Sequence, residues 1–163
     1  MLIIVCGLPG TGKTTIAKAL SQRIGATLLR TDVIRKEMLS ENTYTEKERD
    51  SVYENMLIMA DEKLRSGEDC ILDGTFYKKS LRAGAKRIAE NNKSGFHIVE
   101  CLLHEDVVKR RITPRKNDES KADFSIFLKL RKTFEPITEK HIVIDTSKDT
   151  KDCVDKIMKE LKG

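Results

Sequence analysis

The chain is expected to fold as an α/β protein, a three-layer sandwich with a five-stranded parallel sheet between helices. Three observations predict this. Five short apolar runs have the length of strands, the longer segments between them repeat apolar residues at helical spacing, and a glycine-rich loop sits between the first run and the first helix. That alternation is the βαβα rhythm of a parallel sheet covered on both faces.

The first run, LIIVC at 2–6, is wholly apolar, as a central parallel strand requires, and leads through the loop into the helical segment IAKALSQRI. The second strand is TLL at 27–29, after which Thr31 is expected to cap a helix carrying Asp32 and Arg35. Thr45 followed by Glu48 forms a capping box ahead of a helix whose Val52, Met56, Met59, Ala60 and Leu64 share a face, and Ser66-Gly67 stops it. CIL at 70–72, HIVECLL at 97–103 and HIVI at 141–144 complete the strands, and a last helix runs from about Thr150 to Leu161. A short helix, EDVVKRR, precedes the polar stretch between Ile112 and Ala122, where periodicity disappears and Pro114 drives Thr113 out of helical geometry. That stretch is expected to be a mobile flap, the core of a lid at about 110–123.

At 163 residues the chain is expected to form one domain over 1–163. Its 39% hydrophobic and 35% charged residues fit a soluble globular protein, and no apolar run is long enough to span a bilayer. No basic prefix precedes the first apolar residues, so a cytoplasmic location is expected, with no membrane partner. Few aromatics and no Trp speak against a stacking platform for single-stranded nucleic acid. A net charge of +5 fits an anionic ligand, and equally a lysine-rich surface that serves solubility. Cys6, Cys70, Cys101 and Cys153 show no C-x-x-C spacing and are expected to be buried, reduced thiols.

The loop itself, Gly7-Leu8-Pro9-Gly10-Thr11-Gly12-Lys13-Thr14-Thr15, satisfies G-x-x-x-x-G-K-[ST] between a strand and a helix. Its glycines let backbone N–H groups turn around a β-phosphate, and the helix N-terminus adds partial positive charge. Lys13 is expected to bridge β- and γ-phosphate oxygens of ATP, and the Thr14 hydroxyl to hold Mg²⁺. A guanine-reading N-K-x-D is missing, because Asn92-Lys93 is followed by Ser94-Gly95, and large ATPase machines need more chain. A small phosphotransferase remains.

Asp32 and Arg35 lie three residues apart just beyond the second strand, at the carboxyl edge where parallel sheets gather ligands. There a carboxylate can take the proton of an attacking hydroxyl, and a guanidinium can hold an anionic acceptor or the phosphoryl group in flight. Asp73, at the end of a buried strand, is either a carboxylate for a Mg²⁺-bound water or part of a D-G turn. Arg111 and Arg115 flank the flap, where closing guanidinium groups would meet charge spread over the transferred phosphoryl oxygens. Asp145-Thr146 reads as a turn and helix cap, and His97, His104 and His141 lack metal spacing.

The G-x-P-G-[ST]-G-K-[ST] loop followed by D-x-x-R resembles the small P-loop kinases of the P-loop NTPase fold: predicted kinases of the AAA_33 type, polynucleotide 5'-kinase, adenylylsulfate kinase, zeta toxins and chloramphenicol phosphotransferase. The resemblance implies that Asp32 is the acceptor-activating base and that Arg35 supports catalysis. It further implies that Ile71-Leu72-Asp73-Gly74-Thr75 ends in a Walker B-type position, that Arg110, Arg111 and Arg115 belong to the lid, and that His141–Ser147 forms the last strand and adenine-side loop. The R-D-P-K-G-L-Y lid of adenylylsulfate kinase is absent, RRITPRK standing in its place. The expected activity is transfer of the γ-phosphoryl of ATP to a hydroxyl of an anionic small molecule or a nucleic-acid end. A polynucleotide 5'-kinase, an ATP-dependent binding module and a basic nucleic-acid binder are the alternatives, and the oligomeric state stays open.

Overall fold

The computed structural model describes residues 1–39, 45–112 and 119–163, with residues 119–123 as helical backbone alone. In chain order the elements are β1 (Leu2–Cys6), α1 (Lys13–Ile24), β2 (Thr27–Arg30), α2 (Thr31–Met38), α3 (Glu46–Arg65), β3 (Cys70–Asp73), α4 (Lys79–Asn91), β4 (Phe96–Leu102), α5 (Glu105–Ile112), α6 (Glu119–Thr133), β5 (Ile142–Asp145) and α7 (Thr150–Leu161). The five strands form one sheet in the order β2-β3-β1-β4-β5, every pairing parallel.

Strand β1 is central, and every one of its side chains is buried because both faces of the sheet are covered. Leu2, Ile4 and Cys6 point into a core shared with Val52 and Met56 of α3 and Ala85 and Ala89 of α4. Ile3 and Val5 point the other way, against Ile16 and Leu20 of α1 and Val154 and Ile157 of α7. The period-2 alternation of one strand thus separates two cores, the outer layers of the sandwich. The four cysteines are free and buried. Burial pushes the Cys70 and Cys101 thiols up to about 12, so neither serves as a nucleophile near neutral pH.

The capping box of α3 forms as expected. Thr45 Oγ1 accepts from the Glu48 N–H, the Glu48 carboxylate accepts from the Thr45 N–H, and Gly67 turns the chain away at φ 81°. The start of α2 differs from expectation. Thr31 is its first helical residue rather than its cap, Arg30 occupies the cap position without a side-chain cap bond, and the helix leaves β2 with no intervening loop. Helix α6 begins at Glu119, inside the stretch expected to be a flap. The helical spacing of the buried Phe127 and Leu130, with no Gly or Pro between Pro114 and Pro136, carries that helix backward.

Two side chains fix the segment after β3. Phe76 adopts a left-handed backbone, φ 49°, and its N–H donates to the Tyr53 hydroxyl at 2.8 Å while the two rings meet edge to face at 4.9 Å. Its carbonyl accepts from Arg82 Nη1 at 2.8 Å, and Arg82 Nη2 donates to the carbonyls of Glu135 and Pro136, each at 3.1 Å. Tyr53→Phe would leave a buried N–H without a partner and is expected to cost about 1–3 kcal/mol in urea unfolding.

Candidate active site

Gly7 (φ 139°), Gly10 (φ 76°) and Gly12 (φ 82°) all use backbone conformations that a side chain disfavours, and a Cβ on Gly7 would lie 2.5 Å from the Cys101 carbonyl oxygen. Gly12 then caps α1, so the helix N-terminus opens directly onto the loop. Within the turn, Thr11 Oγ1 donates to the Leu8 carbonyl at 2.7 Å, and Lys13 Nζ donates to the same oxygen at 2.9 Å. Burial pushes the Lys13 ammonium below its ordinary range, while nearby Asp73 works in the opposite direction.

Thr14 Oγ1 donates to Asp73 Oδ2 at 2.6 Å, joining the first turn of α1 to the end of β3. Asp73 is buried, 4% exposed, and a second cation, Arg30 Nε at the end of β2, stands 3.5 Å from the same oxygen. A hydroxyl and a carboxylate oxygen in contact on the wall of a phosphate-sized cleft are the hard oxygen donors that Mg²⁺ prefers, and the donor set fits that ion. No cluster of three or more His, Cys, Asp or Glu suited to hold a metal by itself occurs among the described residues.

Asp32 and Arg35 lie on the first two turns of α2, with Arg35 Nη1 3.7 Å from Asp32 Oδ1. Their environments differ. The Asp32 side chain is 68% exposed and faces the cleft, whereas that of Arg35 is 10% exposed. One cavity of about 300 Å³ is lined by Pro9, Lys13, Thr14, Asp32, Asp73 and Thr75 among others, so the phosphate loop, the Thr14–Asp73 pair and the candidate base share a single space. Beside it, a cavity of about 500 Å³ runs from Asp32 and Arg35 to Arg49, Tyr77 and Lys129.

Arg111 lies elsewhere. It lines a separate cavity with Gly12, Thr15 and the Thr146–Thr150 loop, its Nη1 3.5 Å from where a Cβ on Gly12 would sit. That cavity shares Gly12 and Thr15 with the phosphate cleft, so Arg111 stands beside the phosphate loop without lining the cleft itself. Arg110 turns back along α5, its Nε donating to the Asp106 carbonyl at 3.3 Å. Arg115 lies outside the described residues, as do residues 113–118 of the lid.

Several contributors were not singled out from the sequence. Thr146 is buried, and its hydroxyl donates to the Thr11 carbonyl at 2.6 Å, tying the loop after β5 to the phosphate loop. The cap of α7 is Asp149, not Thr146, whereas Asp145 accepts from the Ser147 N–H in a turn as expected. Arg30, Arg49, Tyr77 and Lys129 become site residues only through packing. Arg30 and Tyr77 had a local signal, a polar side chain at the end of an apolar strand and an aromatic just past one.

An uncharacterized protein of Mycobacterium tuberculosis (strain ATCC 25618 / H37Rv) is 32% identical over 137 residues, which cover 77% of this chain and 28% of the relative. The chain therefore matches little more than a quarter of the length of the curated relatives. Among solved structures, the Mycobacterium tuberculosis APS kinase in complex with AMPPNP and APS superposes with a TM-score of 0.78 at 15% identity, over 99% of this chain and 97% of that one. A sugar kinase from Janibacter sp. HTCC2649 gives a TM-score of 0.76 at 19% identity, over 99% and 94% of the two chains. These likenesses establish the fold of the small P-loop kinases. The AAA_33 family model, described as an AAA domain, matches residues 2–137, and the chain belongs to that family.

Proposed function

We propose that the protein is an ATP-dependent phosphotransferase that moves the γ-phosphoryl group of ATP to a hydroxyl acceptor, with residues 1–163 as one catalytic domain. The observation that carries this is the shared cleft in which Lys13, Thr14, Asp73 and Asp32 face one another. Phosphoryl transfer is governed by positioning and charge stabilisation, and these residues supply both. The amides of Gly7–Thr15 and the Lys13 ammonium hold the phosphates. Thr14 and Asp73 hold Mg²⁺, which when bound screens the phosphate charge. Asp32 accepts the proton of the acceptor hydroxyl, Arg35 steadies the Asp32 carboxylate, and Arg111 and Arg115 act from the lid side. A solved neighbour that holds AMPPNP and APS supports ATP as the donor and a small molecule as the acceptor.

The test is transfer of labelled γ-phosphate from ATP with Mg²⁺ to a panel of small hydroxyl compounds, nucleosides and 5'-hydroxyl oligonucleotides. Label in one acceptor is the expected outcome. ATP binding with label passing only to water would instead make the protein a nucleotide-dependent binding module. Thr14→Val is expected to weaken ATP binding in Mg²⁺ by about tenfold or more, the scale of one lost contact to a charged group, with little change in EDTA. Isothermal titration in the two buffers measures the difference. No described helix is long and apolar enough to cross a membrane.

A further inference from the structure

The cavity next to Asp32 carries a charge pattern that phosphate binding does not use. Arg49 of α3 lies over the Tyr77 ring, its guanidinium carbon 5.5 Å from the ring centre, and its buried Nε has no hydrogen-bond partner. No carboxylate among the described residues forms an ion pair with it. Lys78 foremost, and after it Arg49 and Lys129, hold the Glu46 carboxyl below its usual range, but the ion pairs that Glu46 and Asp50 make, at 2.6 and 3.5 Å, are with Lys78. Lys129 of α6 lines the same cavity and also has no ion-pair partner among the described residues. The Tyr77 side chain is 5% exposed, and its buried hydroxyl has no hydrogen-bond partner either.

The Arg49 guanidinium and the Lys129 ammonium, neither in an ion pair among the described residues, and the buried Tyr77 hydroxyl form a donor set for an anion around one cavity. Buried polar groups ordinarily find partners, so the open Arg49 Nε and Tyr77 hydroxyl are best explained by a ligand that completes them, with the exposed Lys129 on the same cavity wall. The remaining wall is apolar, with Ile126 and Leu130, and the cavity of about 500 Å³ suits a small molecule. We propose that this cavity selects the acceptor by its charge: the acceptor is a small hydroxyl compound bearing a carboxylate or phosphate ester, its acidic group held by Arg49, Lys129 and the Tyr77 hydroxyl while its hydroxyl reaches Asp32. This rests on the phosphotransferase function and narrows its substrate class. In the transfer, the acceptor oxygen forms a bond to the γ-phosphorus, the bond from that phosphorus to the β,γ-bridging oxygen breaks, ADP leaves, and the hydroxyl proton passes to Asp32.

The experiment compares acids with neutral partners of the same shape: D-gluconate with gluconamide, quinate with its methyl ester, and glycerol 3-phosphate with glycerol, beside a 5'-hydroxyl oligonucleotide. ADP release is followed for the wild type, Arg49→Gln and Lys129→Gln, and ATP-dependent thermal shift confirms that each variant is folded. At least one acid is expected to exceed its neutral partner about tenfold or more in kcat/KM, a ratio that Arg49→Gln collapses mainly through KM. The gluconate, quinate and glycerol 3-phosphate arms separate carboxylate from phosphate ester.

Equal use of acids and neutral partners, or preference for the oligonucleotide, overturns the charge selection and leaves the kinase function standing. If nothing in the panel is phosphorylated, the kinase function is what fails, and binding decides the cavity. D-gluconate and glycerol 3-phosphate are then titrated into the ADP–Mg²⁺ complex while the Arg49 Nε–H resonance is followed. A shift with an acid and none with its neutral partner supports the proposal, and no shift with any acid overturns it.

Discussion

Asp32→Asn is expected to bind ATP with wild-type affinity while acceptor phosphorylation falls by about 10²–10⁴-fold, the range over which a positioned general base acts. The substitution keeps the volume and the start of α2 while removing the basic oxygen and, with its charge, the pairing with Arg35, which separates proton acceptance from packing. Asp32 lies on the wall of the phosphate cleft without contributing to the phosphate loop, so ATP affinity and turnover should separate. The loss corresponds to about 3–5 kcal/mol of transition-state stabilisation. Single-turnover assays with saturating ATP measure it directly. Turnover within a factor of two of wild type would remove Asp32 from proton transfer and leave it as a dipole-complementing residue in the first turn of α2.

The largest structural effect is expected at Arg82. The side chain is 1% exposed, and its three hydrogen bonds reach the Phe76, Glu135 and Pro136 carbonyls, with its guanidinium carbon 5.9 Å from the Phe134 ring centre. Arg82→Met keeps much of the apolar stem but strands those carbonyls, and a loss of about 3–5 kcal/mol is expected, the combined scale of several buried acceptors left without donors. For a chain of this size that lowers the melting temperature by on the order of 10 °C. Arg82→Lys should recover little, since one ammonium cannot reproduce a planar fork spanning two chain segments. Calorimetry on the three proteins settles it, and a melting temperature unchanged in Arg82→Met would show that the carbonyls find other partners.

Most of the sheet and the phosphate loop were legible in the sequence because their signals are local. An unbroken apolar run can only be a doubly covered strand, and three glycines before Lys-Thr have few other uses. Asp32 was legible because chain order and the carboxyl-edge rule place it beside the loop. The start of α2 was misassigned for a physical reason. Thr31 has a capping side chain, but the helix emerges so directly from β2 that the cap position falls on Arg30. Arg49, Tyr77 and Lys129 come from α3, the segment after β3, and α6, and only tertiary closure brings them to one cavity. Arg82 did carry a trace of its role. It shares a helical face with Ala85 and Ala89, where a charge among small buried residues implies partners that it must reach.

The place of β1 in the sheet has a consequence for synthesis. Of the five strands of the sheet, the first to be translated is the central one, and its register pairs Leu2 with Cys70 on one side and with Phe96 on the other. Neither edge can be satisfied until β3 and then β4 have been translated, a wait of about 5–20 s at ordinary elongation rates. Through that interval LIIVC is a fully apolar segment with two open edges, a template for pairing between nascent chains. Yield of native protein should therefore respond to translation speed and to holdase chaperones more strongly than the stability of the finished sheet would suggest.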